Sequence, residues 1–152
     1  MSFFSLSYHF VWHTKISEAC LTGEKERRVH EIIKTVVFRS PNLFFVSIGG
    51  TATHVHVIIY AKSTITVAQM AQGMKGSSSE MINEQRIFPF RFGWQREYGC
   101  VTFSHRDLGI LKLYGKDQKN HHENDTFQKH LECTDFRDLG LSNAWGEFPE
   151  NE

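Results

Sequence analysis

The sequence predicts an α+β fold: a four-stranded antiparallel sheet with two helices on one face. Three observations carry this reading. Leu6, Tyr8, Phe10 and Trp12 alternate with Ser7, His9, Val11 and His13, which is strand periodicity. Two long segments carry apolar residues at helical spacing. The segments follow one another as βαββαβ, and right-handed crossovers fold that order into the ferredoxin-like arrangement, leaving one sheet face open.

The elements follow in order. Residues 6–13 form the first strand. Gly23 precedes a helical pattern with Val29, Ile32, Ile33, Val36 and Val37 on one face, and Ser40-Pro41-Asn42 stops it. Leu43 to Ile48 is a second strand, Gly49-Gly50-Thr51-Ala52 a turn, and 54–61 a third strand, so this pair reads as a hairpin. Thr64 or Thr66 caps a second helix with Val67, Met70, Ala71, Met74, Ser78 and Met81 at helical spacing. Residues 85–97 form a loop rich in Arg and aromatic residues, and Tyr98 to Phe103 a fourth strand. Ser104 caps a third helix running to about His122, expected on the open sheet face, and a short helix starts after Thr126.

Composition limits the function classes. The chain has 152 residues, enough for one core. No apolar run approaches the ~18–20 residues that cross a bilayer, and the N-terminus lacks a signal-peptide pattern. Cys20, Cys100 and Cys133 form no CxxC pair and read as reduced thiols of a cytoplasmic protein. The net charge of zero is uneven: residues 1–132 carry 16 Lys/Arg against 12 Asp/Glu, while 133–152 carry Arg137 against five carboxylates. A mildly basic body of 1–132 therefore precedes an acidic, irregular tail of 133–152.

The third strand raises a chemical question. His54 and His56 are two residues apart, so they share a strand face and sit ~6.6–7 Å apart along the strand. Val55, Val57, Ile59 and Ala61 take the other face, which is the core face. Two neutral imidazoles so placed converge on one metal ion, or else are partly exposed and hydrogen-bond to neighbours. On the third helix, Leu111, Tyr114, Gln118 and His122 fall in one sector, opposite Lys112, Lys116 and Lys119. That stripe either presents a phenol and an amide to the histidines or simply packs.

Together these residues resemble a family. His54-Val55-His56 after a glycine-rich turn is a His-hydrophobic-His (HUH) motif. Tyr114-Gly-Lys-Asp-Gln118-Lys-Asn-His121-His122 resembles the Tyr-x-x-x-Gln-x-x-His-His helix of single-tyrosine HUH transposases, the enzymes of single-strand insertion sequences. Ser7-Tyr8-His9-Phe10-Val11-Trp12 with Thr14-Lys15, Lys75-Gly-Ser-Ser-Ser79, and Phe92-Gly-Trp-Gln95 with Tyr98-Gly99 are similar to the same family. The resemblance covers roughly residues 5–130. The chain departs from the pattern at Thr53, where an acidic residue is usual, and at Gly115 and Asp117.

The resemblance implies a DNA transposase that nicks and rejoins single-stranded DNA at hairpin-marked ends. Tyr114 would be the nucleophile, forming a 5′-phosphotyrosine. His54, His56 and Gln118 would hold a divalent ion, Mg²⁺ or Mn²⁺, that polarises the phosphate. It also implies a homodimer in which one subunit's tyrosine helix completes the other's HUH site, and a prokaryotic cytoplasmic setting with no membrane partner. Arg86, Arg91 and Arg96 lie among Phe88, Phe90, Phe92 and Trp94, which suits single-strand binding or a loop anchored by its aromatics. Arg96, Arg91, Lys15 and His122 are the candidate DNA contacts. A reading from another class is a non-cutting module that binds DNA hairpins. A plain metallohydrolase is disfavoured because no carboxylate stands near the HxH to act as base.

Overall fold

The computed structural model describes residues 2–104. The third helix, the helix after Thr126 and the acidic tail lie outside the described residues. Within them, the elements are β1 (Ser7–His13), α1 (Gly23–Arg39), β2 (Leu43–Gly50), β3 (His54–Ala61), α2 (Val67–Glu84) and β4 (Gly99–Thr102). The sheet order is β2-β3-β1-β4, and all three pairings are antiparallel. This is the expected ferredoxin-like sheet.

The alternation in β1 and β3 explains the layering. Phe10, Trp12, Val55, Val57, Ile59 and Ala61 join Val29, Ile33 and Val37 of α1 and Met70, Ala71 and Met74 of α2 in one core. The register sets His13 opposite His54, Val11 opposite His56 and His9 opposite Ile58. The other sheet face therefore collects His9, Val11, His13, His54, His56 and Ile58 from the two central strands.

Helix ends follow their local chemistry. Glu24 and Glu26 sit in the first turn of α1 and Arg39 in its last, each matched to the end charges of the helix. Gly23 opens α1 at φ +56, a conformation that glycine adopts without strain. Thr66, not Thr64, caps α2: its hydroxyl accepts from Gln69 N–H at 3.2 Å, and Thr66 N–H donates to Gln69 Oε1 at 3.0 Å.

Two features differ from expectation. β2 continues through Gly49 and Gly50, which pair with His56 and Val55, so the turn is shorter. A Cβ on Gly50 would lie 2.2 Å from the His54 carbonyl oxygen, which is why the strand can end so tightly only with glycine there. β4 is four residues long, not six. After β1 the chain makes a tight turn over Lys15–Ser17, with Ile16 and Ser17 at φ 53 and 52.

Candidate active site

The site is built on the two central strands. His54 and His56 are buried, at 5 % and 1 % exposure, rather than partly exposed, and both hydrogen-bond to neighbouring side chains. Their ring centroids are 5.2 Å apart at an interplanar angle of 69°. An imidazole-bound ion lies ~2.0–2.1 Å from the ligating nitrogen, so rings sharing one ion have centroids within roughly 6 Å of each other. The pair fits that limit.

Each ring is held through the same nitrogen. His54 Nδ1 lies 3.0 Å from the hydroxyls of both Thr51 and Thr53. Thr53, which stands where the resembled family usually has an acid, thus serves as a neutral partner of the first histidine. His56 Nδ1 lies 2.7 Å from His9 Nε2. His13 stacks on His54 with centroids 4.7 Å apart and 24° between planes. In both rings of the HxH pair, Nδ1 is the nitrogen that meets a neighbouring side chain.

His54 and His56 supply two of the three expected ligands. Among the described residues no group of three or more His, Cys, Asp or Glu side chains is arranged to hold a metal ion. The expected partners Tyr114, Gln118 and His122 lie outside the described residues, as does His121.

The loop before β4 is fastened beside the histidines. Thr14 bridges to Trp94, Lys15 N–H donates to Gly93 C=O at 3.0 Å, and Gln95 N–H donates to His13 C=O at 2.9 Å. Gln95 Oε1 in turn accepts from His13 N–H at 2.9 Å. Asn83 of α2 clamps the backbone of Phe92 with two hydrogen bonds of 2.8 and 2.9 Å. The aromatic residues divide their work. Phe88 and Phe92 are buried and stacked, Trp94 meets Phe92 and Trp12 edge-on, and Phe90 stays 41 % exposed.

This arrangement gathers some of the candidate DNA contacts. Lys15 and Arg91 are exposed and line one small cavity of about 80 Å³ with Phe90. Arg96 is exposed nearby in sequence, its carbonyl held by Lys75 Nζ at 2.7 Å. Desolvation lowers the Lys75 ammonium below its ordinary value, and the charge of Glu97 opposes that shift. A larger groove of about 560 Å³ lies between α1 and α2, remote from the histidine face and lined by Val36, Met70 and Met74 among others.

The sequence reading passed over His9, His13, Thr51 and Lys75 as site residues. The signal for the first two was present, because the alternation that buries Phe10 and Trp12 puts His9, Val11 and His13 together on the other face. Which of them meets His56 depends on the β1–β3 register, which alternation alone does not set.

Comparison with known proteins agrees with this architecture. A candidate transposase of Deinococcus radiodurans R1 has a similar fold, with a TM-score of 0.60 at 20 % identity over 74 % of this chain and 90 % of that one. A REP-associated tyrosine transposase bound to a REP hairpin superposes with a TM-score of 0.58 at 11 % identity, over 80 % of this chain and 72 % of that one. No curated protein matches the chain. The family described as transposase, IS200-like, matches residues 2–118. With more than half of its length covered by that match, the chain belongs to the IS200-like transposase family.

Proposed function

We propose that this transposase cuts and rejoins single-stranded DNA at hairpin-marked ends through a covalent phosphotyrosine. The observation that carries the reading is the buried His54–His56 pair, with each ring anchored through Nδ1. In this reading the Tyr114 hydroxyl gives up its proton and its oxygen bonds to a backbone phosphorus. The bond from phosphorus to the 3′ oxygen breaks, and that oxygen leaves as a free 3′-hydroxyl after taking a proton. The phosphotyrosine conserves the ester bond, so a second 3′-hydroxyl can reverse the step without ATP.

His54, His56 and Gln118 would hold a Mg²⁺ or Mn²⁺ ion. When bound, that ion neutralises charge on the scissile phosphate and orients it. Its three protein ligands and the Nδ1 partners named above are all neutral, which leaves the full 2+ charge for an anionic substrate. Arg96, Arg91, Lys15 and His122 would contact the DNA, and the hairpin bound by one structural neighbour supports a hairpin ligand here. Residues 1–132 form the catalytic domain in this reading, followed by the acidic tail of 133–152. Two copies assemble so that the tyrosine of one serves the histidines of the other. The chain works in the prokaryotic cytoplasm, and no helix among the described residues is long and apolar enough to cross a membrane.

The test is incubation of the protein with single-stranded hairpin DNA and Mn²⁺, followed by denaturing electrophoresis. Wild type gives a covalent protein–DNA adduct, and Tyr114→Phe binds the hairpin without forming one. An adduct of normal yield from Tyr114→Phe removes Tyr114 as the nucleophile.

A further inference from the structure

His9 stands on β1 at 2 % exposure, its imidazole packed against His56 with ring centroids 4.9 Å apart. Burying an imidazole is costly unless its polar atoms are engaged. One of its two nitrogens is engaged here: His9 Nε2 and His56 Nδ1 are 2.7 Å apart, close enough to require one proton between them. We propose that His9 is a positioning residue that accepts the Nδ1 proton of His56 and so holds His56 in the tautomer that binds a metal through Nε2. This rests on the reading of His54 and His56 as metal ligands.

Two proton arrangements satisfy a 2.7 Å contact between neutral imidazoles. If His9 donates, His56 Nδ1 spends its lone pair on His9 and its proton sits on Nε2, so no nitrogen of His56 is left to bind an ion. If His56 donates, Nε2 carries its lone pair, directed away from His9. Only the second arrangement is compatible with a ligand role.

His54 shows the same requirement met by other means. Its Nδ1 is 3.0 Å from the Thr51 and Thr53 hydroxyl oxygens, either of which can accept an Nδ1 proton. Two rings held by their Nδ1 atoms, on unrelated partners, are what a pair of ligands using Nε2 needs. His9 also restrains rotation of the His56 ring about its side-chain bonds, since a flip would exchange the 2.7 Å nitrogen contact for a ring carbon.

The proposal is tested on full-length protein in two ways. Long-range ¹H–¹⁵N correlation of the metal-free wild type, with His56 assigned by its loss in His56→Ala, should show the proton of His56 on Nδ1. A proton on Nε2 overturns the proposal, whatever the variants do. Calorimetric titration with Mn²⁺ alone provides the second readout. His9→Phe, which keeps the ring but removes the acceptor, should bind Mn²⁺ 10–100-fold more weakly. His9→Gln, whose side-chain oxygen can accept the same proton, should recover most of that loss.

The failures are distinguishable. If His56→Ala binds Mn²⁺ like wild type, the ligand reading itself falls and the proposal falls with it. If His56→Ala loses binding while folded His9→Phe retains wild-type affinity, His9 is only packing and the ligand reading stands. Should His9→Phe fail to fold, the tautomer measured in wild type decides.

Discussion

Gly50 offers a quantitative check on how tightly the histidine hairpin is built. Alanine there would put a methyl carbon 2.2 Å from the His54 carbonyl oxygen and 3.0 Å from Val55 Cα. An ordinary carbon–oxygen contact is about 3.3–3.6 Å, so the two backbones must separate by roughly 1 Å. That separation stretches the bond in which Thr51 N–H donates to His54 C=O, now 3.0 Å. Overpacking of this kind costs about 1–3 kcal/mol. For a domain of this size that lowers Tm by roughly 5–15 °C. Metal ligands tolerate only about ±0.2 Å, so Mn²⁺ affinity should fall tenfold or more. Gly73→Ala is the matched control, because nothing lies within 4 Å of a Cβ there and the residue sits inside α2. It should raise stability by about 0.5–1 kcal/mol. Differential scanning calorimetry and Mn²⁺ titration read both. A Gly50→Ala protein that melts with wild type, or a Gly73→Ala protein that loses as much stability, refutes the steric argument.

Three further predictions follow the same logic. Asn83→Ala removes both hydrogen bonds to the buried backbone of Phe92, so urea unfolding should show a loss of about 2–3 kcal/mol. Burial pushes the Cys100 thiol up to about 12, so native protein should resist iodoacetamide at that site at pH 8 while unfolded protein reacts. Because the unfolded thiol ionises near 9 and the folded one only near 12, this group makes stability fall as pH rises through that interval; a Cys100→Ser protein with the same alkaline melting profile would contradict it. Tyr114→Phe and His56→Ala chains, each inactive alone, should regain cleavage when co-assembled, since one composite site in the mixed dimer is intact. No rescue in a verified mixed dimer would rule out sites shared between subunits.

Most of the fold was legible because alternation and helical spacing are local properties. His54 to Ala61 declare two faces within eight residues, and the structure keeps both. What escaped depends on contacts between distant segments. The choice of Thr66 over Thr64 as cap turns on the reach of Gln69. The loop of 85–97 looked irregular because its order comes from Asn83, Lys75 and the end of β1, none of which is visible in its own composition. The tight turn at Ile16 was unreadable for a different reason: a β-branched residue at positive φ runs against its local preference, so no local rule would place one there. Within the candidate site, the HxH half was legible as a shared face. Its hydrogen-bonding to His9 was not, since a diagonal pair exists only once β1 and β3 are in register.

The placement of the four histidines on β1 and β3 has a kinetic consequence. Both strands are interior to the sheet, with β2 outside one and β4 outside the other. Amide protons along an interior strand reach solvent mainly when the whole sheet opens, so their exchange with deuterium reports the global unfolding equilibrium, whereas those of the four-residue edge strand β4 are expected to exchange by local fraying. Among the described residues, the imidazoles of His9, His13, His54 and His56 are therefore mounted on strands expected to exchange slowly. In the proposed reaction, the backbone that carries these rings would then open only when the sheet itself does.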